Sequence, residues 1–192
     1  MQAGSRKKLV LFASGSGTNV EAIANYFQDH PDVSISAVLT NKRDAKVIDR
    51  CNQLNISVLY FNKWAFYRSD TVLEILRRLN PDLIVLAGFM WKVPATIVQE
   101  FEDRIINIHP ALLPKYGGKG MYGMHVHKAV KNAGDTETGI TIHYVNEAYD
   151  EGAVIRQAQI PVLPEDSAED IAKKVHQLEY QHYPEVIKEL LT

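Results

Sequence analysis

Cysteine and long hydrophobic runs are scarce in this sequence, and each shortage excludes a class of structure. Cys51 is the only cysteine among 192 residues, so no internal disulfide can form and a reducing compartment suits the chain. No apolar run is long enough to span a bilayer, and the polar residues 1–8 lack the core of a signal peptide. We therefore expect a soluble cytoplasmic protein in which residues 1–7 are disordered.

A strong charge of either sign is also missing. The formal net charge is −2, so we expect neither a nucleic-acid nor a membrane partner, and any bound phosphate needs a local site. The length of 192 residues and the hydrophobic share of 46% fit one domain with a substantial core. We expect a single domain over residues 1–192 that acts on small molecules as a monomer or weak homodimer.

Short apolar runs alternate with amphipathic segments along most of the chain. This alternation predicts an α/β fold with a doubly wound, mostly parallel sheet and helices on both faces. The apolar runs predict strands at residues 8–13, 33–40, 57–61, 83–88, 105–109, 139–145 and 153–162. The helical spacing of apolar residues predicts helices at residues 20–27, 44–54, 71–79, 94–101, 124–132 and 167–191.

A β-branched run that begins at Ile105 carries two polar side chains at alternate positions. In a strand, residues two apart project from the same face, so Asn107 and His109 would stand side by side. Pro110 cannot donate to a sheet ladder and should end the strand, at the edge where open parallel sheets bind ligands. An amide beside an imidazole suits stabilisation of an oxyanion. The alternative is a strand end whose polar groups bond to a neighbouring loop.

The first predicted strand runs into a glycine-rich loop, SGSGTN at residues 14–19, and then into a helix. This order aims free backbone N–H groups at an anion. The loop lacks the lysine of a nucleoside triphosphate site and the third glycine of a dinucleotide site. It therefore indicates a monophosphate site at Gly17, Thr18 and Asn19, or else a tight turn without a ligand.

Three further segments could surround the same site. Gly88 ends a strand and would let a ligand approach the backbone, while the apolar residues 89–93 either line an aromatic ligand's slot or pack over the sheet. Residues 117–123 contain four glycines and predict a mobile loop that could act as a lid. Asp150 lies in a turn between two strands, where its carboxylate reaches His109 or remains an ordinary turn residue.

Four histidines, His109, His125, His127 and His143, could be considered as a metal site. No cysteine and no His-Glu-x-x-His pattern supports them, so we expect no metal. We instead expect His125 and His127 to support the glycine loop or the substrate, and His143 to be a strand residue near the pocket.

Four motifs occur together in order: SGSGTN at residues 14–19, LAGFM at 86–90, NIHPALLP at 107–114 and YDEG at 149–152. Their order and spacing, from about residue 9 to residue 187, resemble the folate-dependent phosphoribosylglycinamide formyltransferases. The resemblance implies transfer of the formyl group of 10-formyltetrahydrofolate to the amine of N1-(5-phospho-D-ribosyl)glycinamide in de novo purine biosynthesis. It also implies a nucleotide-binding half at about residues 8–104 and a catalytic, folate-binding half at about 105–192.

The resemblance assigns roles to individual residues. Asn107 and His109 would stabilise the oxyanion of a tetrahedral intermediate, and Asp150 would keep His109 charged and help to move a proton from the amine. The ribonucleotide would be bound by Gly17, Thr18, Asn19, Gly88, Ile108, Pro110 and Glu179. The folate would be bound by Met90, Trp91, Lys92, Val93, Asn146, Glu147, Ala148 and Tyr149.

The sequence departs from the family's common pattern in two places. Residues 116–123 replace a short Tyr-Pro-Gly turn, and Trp91 and Lys92 replace an arginine and an aliphatic residue, which affects the lid and the folate tail. Related methionyl-tRNA formyltransferases carry an additional C-terminal domain and formyltetrahydrofolate hydrolases an N-terminal one, and this sequence predicts neither. A non-catalytic ribonucleotide or folate sensor is the alternative outside enzymes, but it would not need Asn107, His109 and Asp150 together.

Overall fold

A seven-stranded sheet forms the centre of the molecule in the computed structural model, which describes residues 6–148 and 150–191. The strands are β1 (Lys7–Ala13), β2 (Val33–Thr40), β3 (Val58–Tyr60), β4 (Leu83–Leu86), β5 (Ile105–His109), β6 (Glu137–Tyr144) and β7 (Val154–Pro161). The helices are α1 (Thr18–Phe27), α2 (Val47–Gln53), α3 (Lys63–Tyr67), α4 (Thr71–Leu79), α5 (Ala95–Glu100), α6 (Met124–Ala133) and α7 (Ala168–Leu191).

The strand order is β3-β2-β1-β4-β5-β6-β7. The first five of these strands pair in parallel, whereas β6 pairs antiparallel with both β5 and β7. The predicted doubly wound, mostly parallel α/β fold is therefore confirmed. The structure adds the short helix α3, whose first turn is capped by the side chain of Asn62 accepting from the backbone N–H of Ala65. A five-residue helix is too short to show a helical period.

The strand end marked by a proline agrees with the sequence, whereas β4 ends at Leu86, two residues before the predicted Gly88, and β6 begins at Glu137, two residues before the predicted Gly139. β5 ends at His109, directly before Pro110, as predicted. β1 begins at Lys7, within the segment expected to be disordered, and residues 1–5 lie outside the described part of the chain.

The central strands are buried on both faces, as expected for parallel strands covered by helices. Ile106 and Ile108 of β5 belong to one apolar core, and Ile105 belongs to the other. Because side chains alternate along a strand, Asn107 and His109 share the face of Ile105. That face carries an aromatic cluster of Phe12, Phe61, Phe66, Phe89 and Trp91.

Two other features position the site. The antiparallel register sets His143 of β6 opposite Asn107 and Thr141 opposite His109. Across the other core, the buried hydroxyl of Tyr183 on α7 lies 3.1 Å from the carbonyl oxygen of Leu86 and 3.2 Å from that of Ile106. Among the described residues, no helix combines the length and the apolar character that crossing a membrane requires.

Candidate active site

A cavity of about 550 Å³ opens where β1, β4 and β5 end. Residues 118–123, His127 of α6, the loop after β6 and one face of α7 complete its walls. Of the sequence-predicted residues, it is lined by Gly17, Thr18, Asn19, Gly88, Met90, Trp91, Lys92, Val93, Asn107, Ile108, His109, Pro110, Asn146, Ala148, Asp150 and Glu179.

Of the predicted residues that the structure describes, Glu147 does not line the cavity. The side chain of Glu147 is exposed and accepts a hydrogen bond of 3.0 Å from Nε2 of Gln99. Tyr149 lies outside the described residues. The loop between β6 and β7 therefore contributes Asn146, Ala148 and Asp150 to the cavity wall.

Asp150 is held against His109, as the sequence suggested. Its Oδ2 lies 3.5 Å from Nδ1 of His109 and accepts a hydrogen bond of 2.9 Å from the backbone N–H of Gly118. Asp150 has a φ of 55°, a left-handed conformation that short polar side chains tolerate. Asp150 therefore connects His109, at the end of β5, to the glycine-rich loop at residues 117–123.

Burial and the carboxylate of Asp150 act on His109 in opposite directions. Burial lowers the pKa of His109, and the nearby carboxylate of Asp150 opposes this without reversing it. His109 is only 3% exposed, so loss of hydration outweighs one ion pair. The expectation that Asp150 would keep His109 charged therefore stays a prediction, and loss of hydration opposes that charge.

The other ring nitrogen of His109, Nε2, forms a hydrogen bond with the backbone directly before the loop at residues 117–123. Nε2 lies 2.7 Å from the carbonyl oxygen of Tyr116, and because a carbonyl only accepts, Nε2 carries the hydrogen. The hydroxyl of Tyr116 in turn donates to Oδ2 of Asp135 at 2.6 Å. Sequence reasoning missed Tyr116 and Asp135, because their role depends on a backbone oxygen and a distant helix end.

The predicted phosphate loop has the geometry of an anion site. Gly17 has a φ of 75°, and a Cβ there would lie 2.5 Å from Cγ2 of Val47, so only glycine fits. Helix α1 begins at the next residue, Thr18, and its first-turn N–H groups have no intrahelical partner. The positive end of the helix and these N–H groups suit a phosphate.

Glu179 joins this loop from α7. Its Oε2 accepts a hydrogen bond of 2.9 Å from Nδ2 of Asn19, whose Oδ1 is buried without a partner among the described residues. The side chain is 6% exposed, which rules out the simple interpretation of a solvated helix charge. Burial raises the pKa of Glu179 to about 7, and the bond from Asn19 opposes this rise.

The apolar loop after β4 both packs on the sheet and lines the cavity. The backbone N–H of Met90 donates to Oγ of Ser14 at 2.9 Å, which fixes the loop after β4 beside the predicted phosphate loop at residues 14–19. Phe89 and Trp91 pack into the aromatic cluster, while Met90 is 47% exposed. Gly88, with a φ of 77°, makes the turn that begins this loop.

The remaining histidines separate into different environments. His125 is exposed, lies edge-on to Tyr122 and is not among the residues that line the cavity. His127 is buried in the wall, and burial lowers its pKa to about 4. His176 of α7 also lines the cavity, a contribution that sequence reasoning missed. The described residues contain no group of three or more side chains that could hold a metal ion.

These features define a class of enzyme. An amide, an imidazole with a carboxylate behind it and an anion-binding helix end converge on one concave site. Such a set suits transfer of an acyl-type group to a nucleophile through a tetrahedral oxyanion. Residues 7–187 match the model of the formyl transferase family, and the chain belongs to that family.

Named relatives agree with this membership. The chain is 41% identical to the phosphoribosylglycinamide formyltransferase of Haemophilus influenzae, over 95% of this chain and 86% of that protein. It is 40% identical to the chloroplastic phosphoribosylglycinamide formyltransferase of Arabidopsis thaliana over 95% of this chain, which corresponds to 64% of that relative. The crystal structure of the Streptococcus pneumoniae phosphoribosylglycinamide formyltransferase superposes with a TM-score of 0.86 at 36% identity, covering 97% of this chain and 99% of that one.

Proposed function

We propose that this protein transfers the formyl group of 10-formyltetrahydrofolate to the amine of N1-(5-phospho-D-ribosyl)glycinamide, a step of purine biosynthesis. The convergence of Asn107, His109 and Asp150 in one cavity carries the proposal. The named formyltransferase relatives, at about 40% identity over nearly the whole chain, support the choice of substrates.

The oxyanion is the first requirement of this reaction. Attack by the neutral amine on the formyl carbon forms a carbon–nitrogen bond and leaves negative charge on the formyl oxygen. Nδ2 of Asn107 would donate to that oxygen, and a cationic His109 would add positive charge nearby. Collapse of the intermediate breaks the bond to N10 of the folate, which leaves with a proton.

The proton route depends on the contact between His109 and Asp150. Nε2 of His109 carries a hydrogen, so in the neutral ring Nδ1 presents a lone pair to Oδ2 of Asp150 at 3.5 Å. A proton released by the attacking amine would be shared between these two atoms. The ring would then become cationic as the oxyanion forms, which stabilises the transition state more than the ground state.

The ribonucleotide would bind at the other end of the cavity. Its phosphate would accept hydrogen bonds from the backbone N–H groups of Thr18 and Asn19 at the start of α1. The carboxylate of Glu179 would accept hydrogen bonds from hydroxyl groups of the ribose. The folate would lie in the slot beside Met90, Trp91 and the backbone of Asn146 and Ala148.

A spectroscopic assay of folate product formation tests the proposal. With both substrates present, we expect turnover that depends on the ribonucleotide. Folate product formed equally without ribonucleotide would indicate a hydrolase, and binding of both ligands without product would indicate a sensor. The Asn107→Ala variant is the control for catalysis at this site, and His125→Ala is the matched control outside the cavity.

Two smaller expectations belong to this proposal and stay predictions. We propose a cytoplasmic location, to be tested by cell fractionation. We also propose a monomer or weak homodimer, to be tested by sedimentation velocity over a range of protein concentrations.

A further inference from the structure

His143 lines the cavity, and the reaction described above assigns it no role. It is 2% exposed and lies directly opposite Asn107 in the β5–β6 pairing. Its Nδ1 is 2.8 Å from the carbonyl oxygen of Tyr144, and its Nε2 is 3.2 Å from Nδ2 of Asn107. Nε2 is also 3.7 Å from Oδ1 of Asp150, beyond hydrogen-bond distance.

The carbonyl of Tyr144 decides which nitrogen of His143 carries the hydrogen. A carbonyl oxygen only accepts, so Nδ1 must donate to it. Burial lowers the pKa of His143, which favours the neutral ring at pH 7 with its single hydrogen on Nδ1. Nε2 then presents a lone pair. Gly152 makes room for this arrangement, since a Cβ there would lie 1.7 Å from the carbonyl oxygen of Tyr144.

A lone pair on Nε2 fixes the orientation of the Asn107 amide. Nδ2 of Asn107 donates one hydrogen to Nε2 of His143, and its second hydrogen remains for the cavity that Asn107 lines. Turning the amide by 180° would set its oxygen against the Nε2 lone pair and present an acceptor where a donor is needed. The orientation of this amide is therefore decided by the tautomer of His143.

We propose that His143 is a positioning residue for formyl transfer, which accepts a hydrogen bond from Asn107 so that the amide keeps a donor toward the reacting formyl oxygen. The inference rests on the proposed function for its chemistry and on the β5–β6 contacts for its geometry. The charged or titratable groups that face His143 are Asp150 and His109. Neither lies within hydrogen-bond distance of Nε2 in the contacts described, so the bond to Asn107 is the one that sets the amide.

Kinetics of three variants test the proposal. In His143→Ala, we expect kcat to fall about 100-fold, as when an oxyanion donor is lost, with each KM within about three-fold of the unsubstituted protein. In His143→Gln, an amide oxygen can replace the Nε2 acceptor, and we expect recovery of about ten-fold of that loss. His30→Gln, the same exchange in the loop between α1 and β2, should leave both constants unchanged. A loss confined to KM, or equal kcat losses in the Ala and Gln variants, would overturn the proposal.

A double-mutant cycle asks whether His143 acts through Asn107. In an Asn107→Ala background there is no amide left to orient, so adding His143→Ala should lower kcat by less than about three-fold. A further loss of about 100-fold in that background would mean that His143 acts independently, and the positioning role would be rejected.

A spectroscopic readout keeps the inference separate from the activity. In uniformly ¹⁵N-labelled protein, we expect His143 to show the neutral Nδ1–H tautomer. The side-chain amide signals of Asn107, assigned by their loss in Asn107→Ala, should shift in folded His143→Ala. An Nε2–H tautomer of His143, or amide signals of Asn107 that do not shift, would contradict the positioning role. An absence of formyl transfer in the unsubstituted protein would instead contradict the proposed function.

Discussion

At the scale of single residues, the candidate site contains polar side chains that the fold removes from water, such as His109 and Glu179. Asn107 and His109 are delivered to one face by strand periodicity, and that much was predictable from residues 105–110. The burial of His109, which lowers its pKa, was not predictable, because it depends on residues far away in the chain. The same limitation applies to Glu179, which the sequence could not distinguish from a solvated helix charge.

The pair of residues proposed to be catalytic gives the first prediction. We expect Asn107→Ala and His109→Ala each to lower kcat by about 100- to 1,000-fold, because each removes one group that we propose stabilises the oxyanion. Steady-state kinetics at saturating substrates measure this, and circular dichroism checks that both variants are folded. Turnover near that of the unsubstituted protein in either variant would remove that residue from the mechanism.

Glu179 gives a prediction about pH and stability. Its pKa is raised to about 7 in the folded protein, above its ordinary value, so the folded state binds the proton more tightly than the unfolded state. Its contribution to stability is complete below about pH 4.5 and is lost as the pH rises through 7. Between pH 5.5 and 8, Glu179→Gln should gain on the order of 2 kcal/mol in unfolding free energy relative to the unsubstituted protein.

Urea unfolding at several pH values measures this difference. Glu185→Gln on the same helix, where the carboxylate is partly exposed, is the matched control and should show no such trend. Parallel stability curves for the Glu179→Gln variant and the unsubstituted protein would contradict a raised pKa for Glu179.

At the scale of elements, the glycine-rich loop is the part that the sequence described least well. Four glycines at residues 117–123 indicated mobility, but they did not show that the loop is anchored at three points. Tyr116 bonds to Asp135 through its hydroxyl and to His109 through its carbonyl oxygen, and the N–H of Gly118 bonds to Asp150. The anchors join residues 7, 19 and 32 positions apart in different elements, and periodicity carries no information on such contacts.

The anchoring of this loop can be tested with one hydroxyl group. Tyr116→Phe removes the hydrogen bond to Asp135, which is worth about 1 kcal/mol, and leaves the backbone bonds in place. We expect hydrogen exchange at the amide of Gly118 to become about five-fold faster, because the loop opens more often. Tyr122→Phe, at an exposed position in the same loop, should have no effect. Equal exchange rates in Tyr116→Phe and the unsubstituted protein would contradict the anchor.

The element pattern itself was largely predictable, for a physical reason. Strands buried on both faces, such as β4 with Leu83, Ile84, Val85 and Leu86, have apolar runs that few other structures share. Helix α3 was missed because its five residues depend on a cap at Asn62 and on aromatic packing by Phe66. The antiparallel direction of β6 was also not predicted, and it is this direction that brings His143 opposite Asn107.

At the scale of the whole molecule, buried neutral imidazoles make folding sensitive to acid. Burial lowers the pKa values of His109, His127 and His143, that of His127 to about 4. The unfolded chain binds these protons more readily than the folded protein does. The contribution of the neutral imidazoles to the free energy of unfolding is therefore complete above about pH 6.5 and is lost as the pH falls toward 4. At pH 5, His127 alone should cost about 2 kcal/mol of unfolding free energy.

Replacement of one imidazole isolates this effect. We expect His127→Asn to lose less unfolding free energy than the unsubstituted protein when the pH is lowered from 7.5 to 5, as measured by urea titration. The exposed His125 serves as the control, because His125→Asn should leave the acid sensitivity unchanged. An identical drop in the unsubstituted protein and in His127→Asn would show that His127 titrates normally in the folded state.

Tyr183 links the two halves of the predicted reaction site through a single hydroxyl group. Its hydrogen is shared between the carbonyl oxygens of Leu86 and Ile106, on neighbouring parallel strands. Glu179 lies one turn earlier on the same helix. The tyrosine thus sets the depth at which the helix sits on the sheet, and so the distance between the carboxylate of Glu179 and the amide of Asn107, which we propose bind the ribose and the formyl oxygen. A substrate that is too short or too long between its sugar and its amine would be measured against that spacing and rejected.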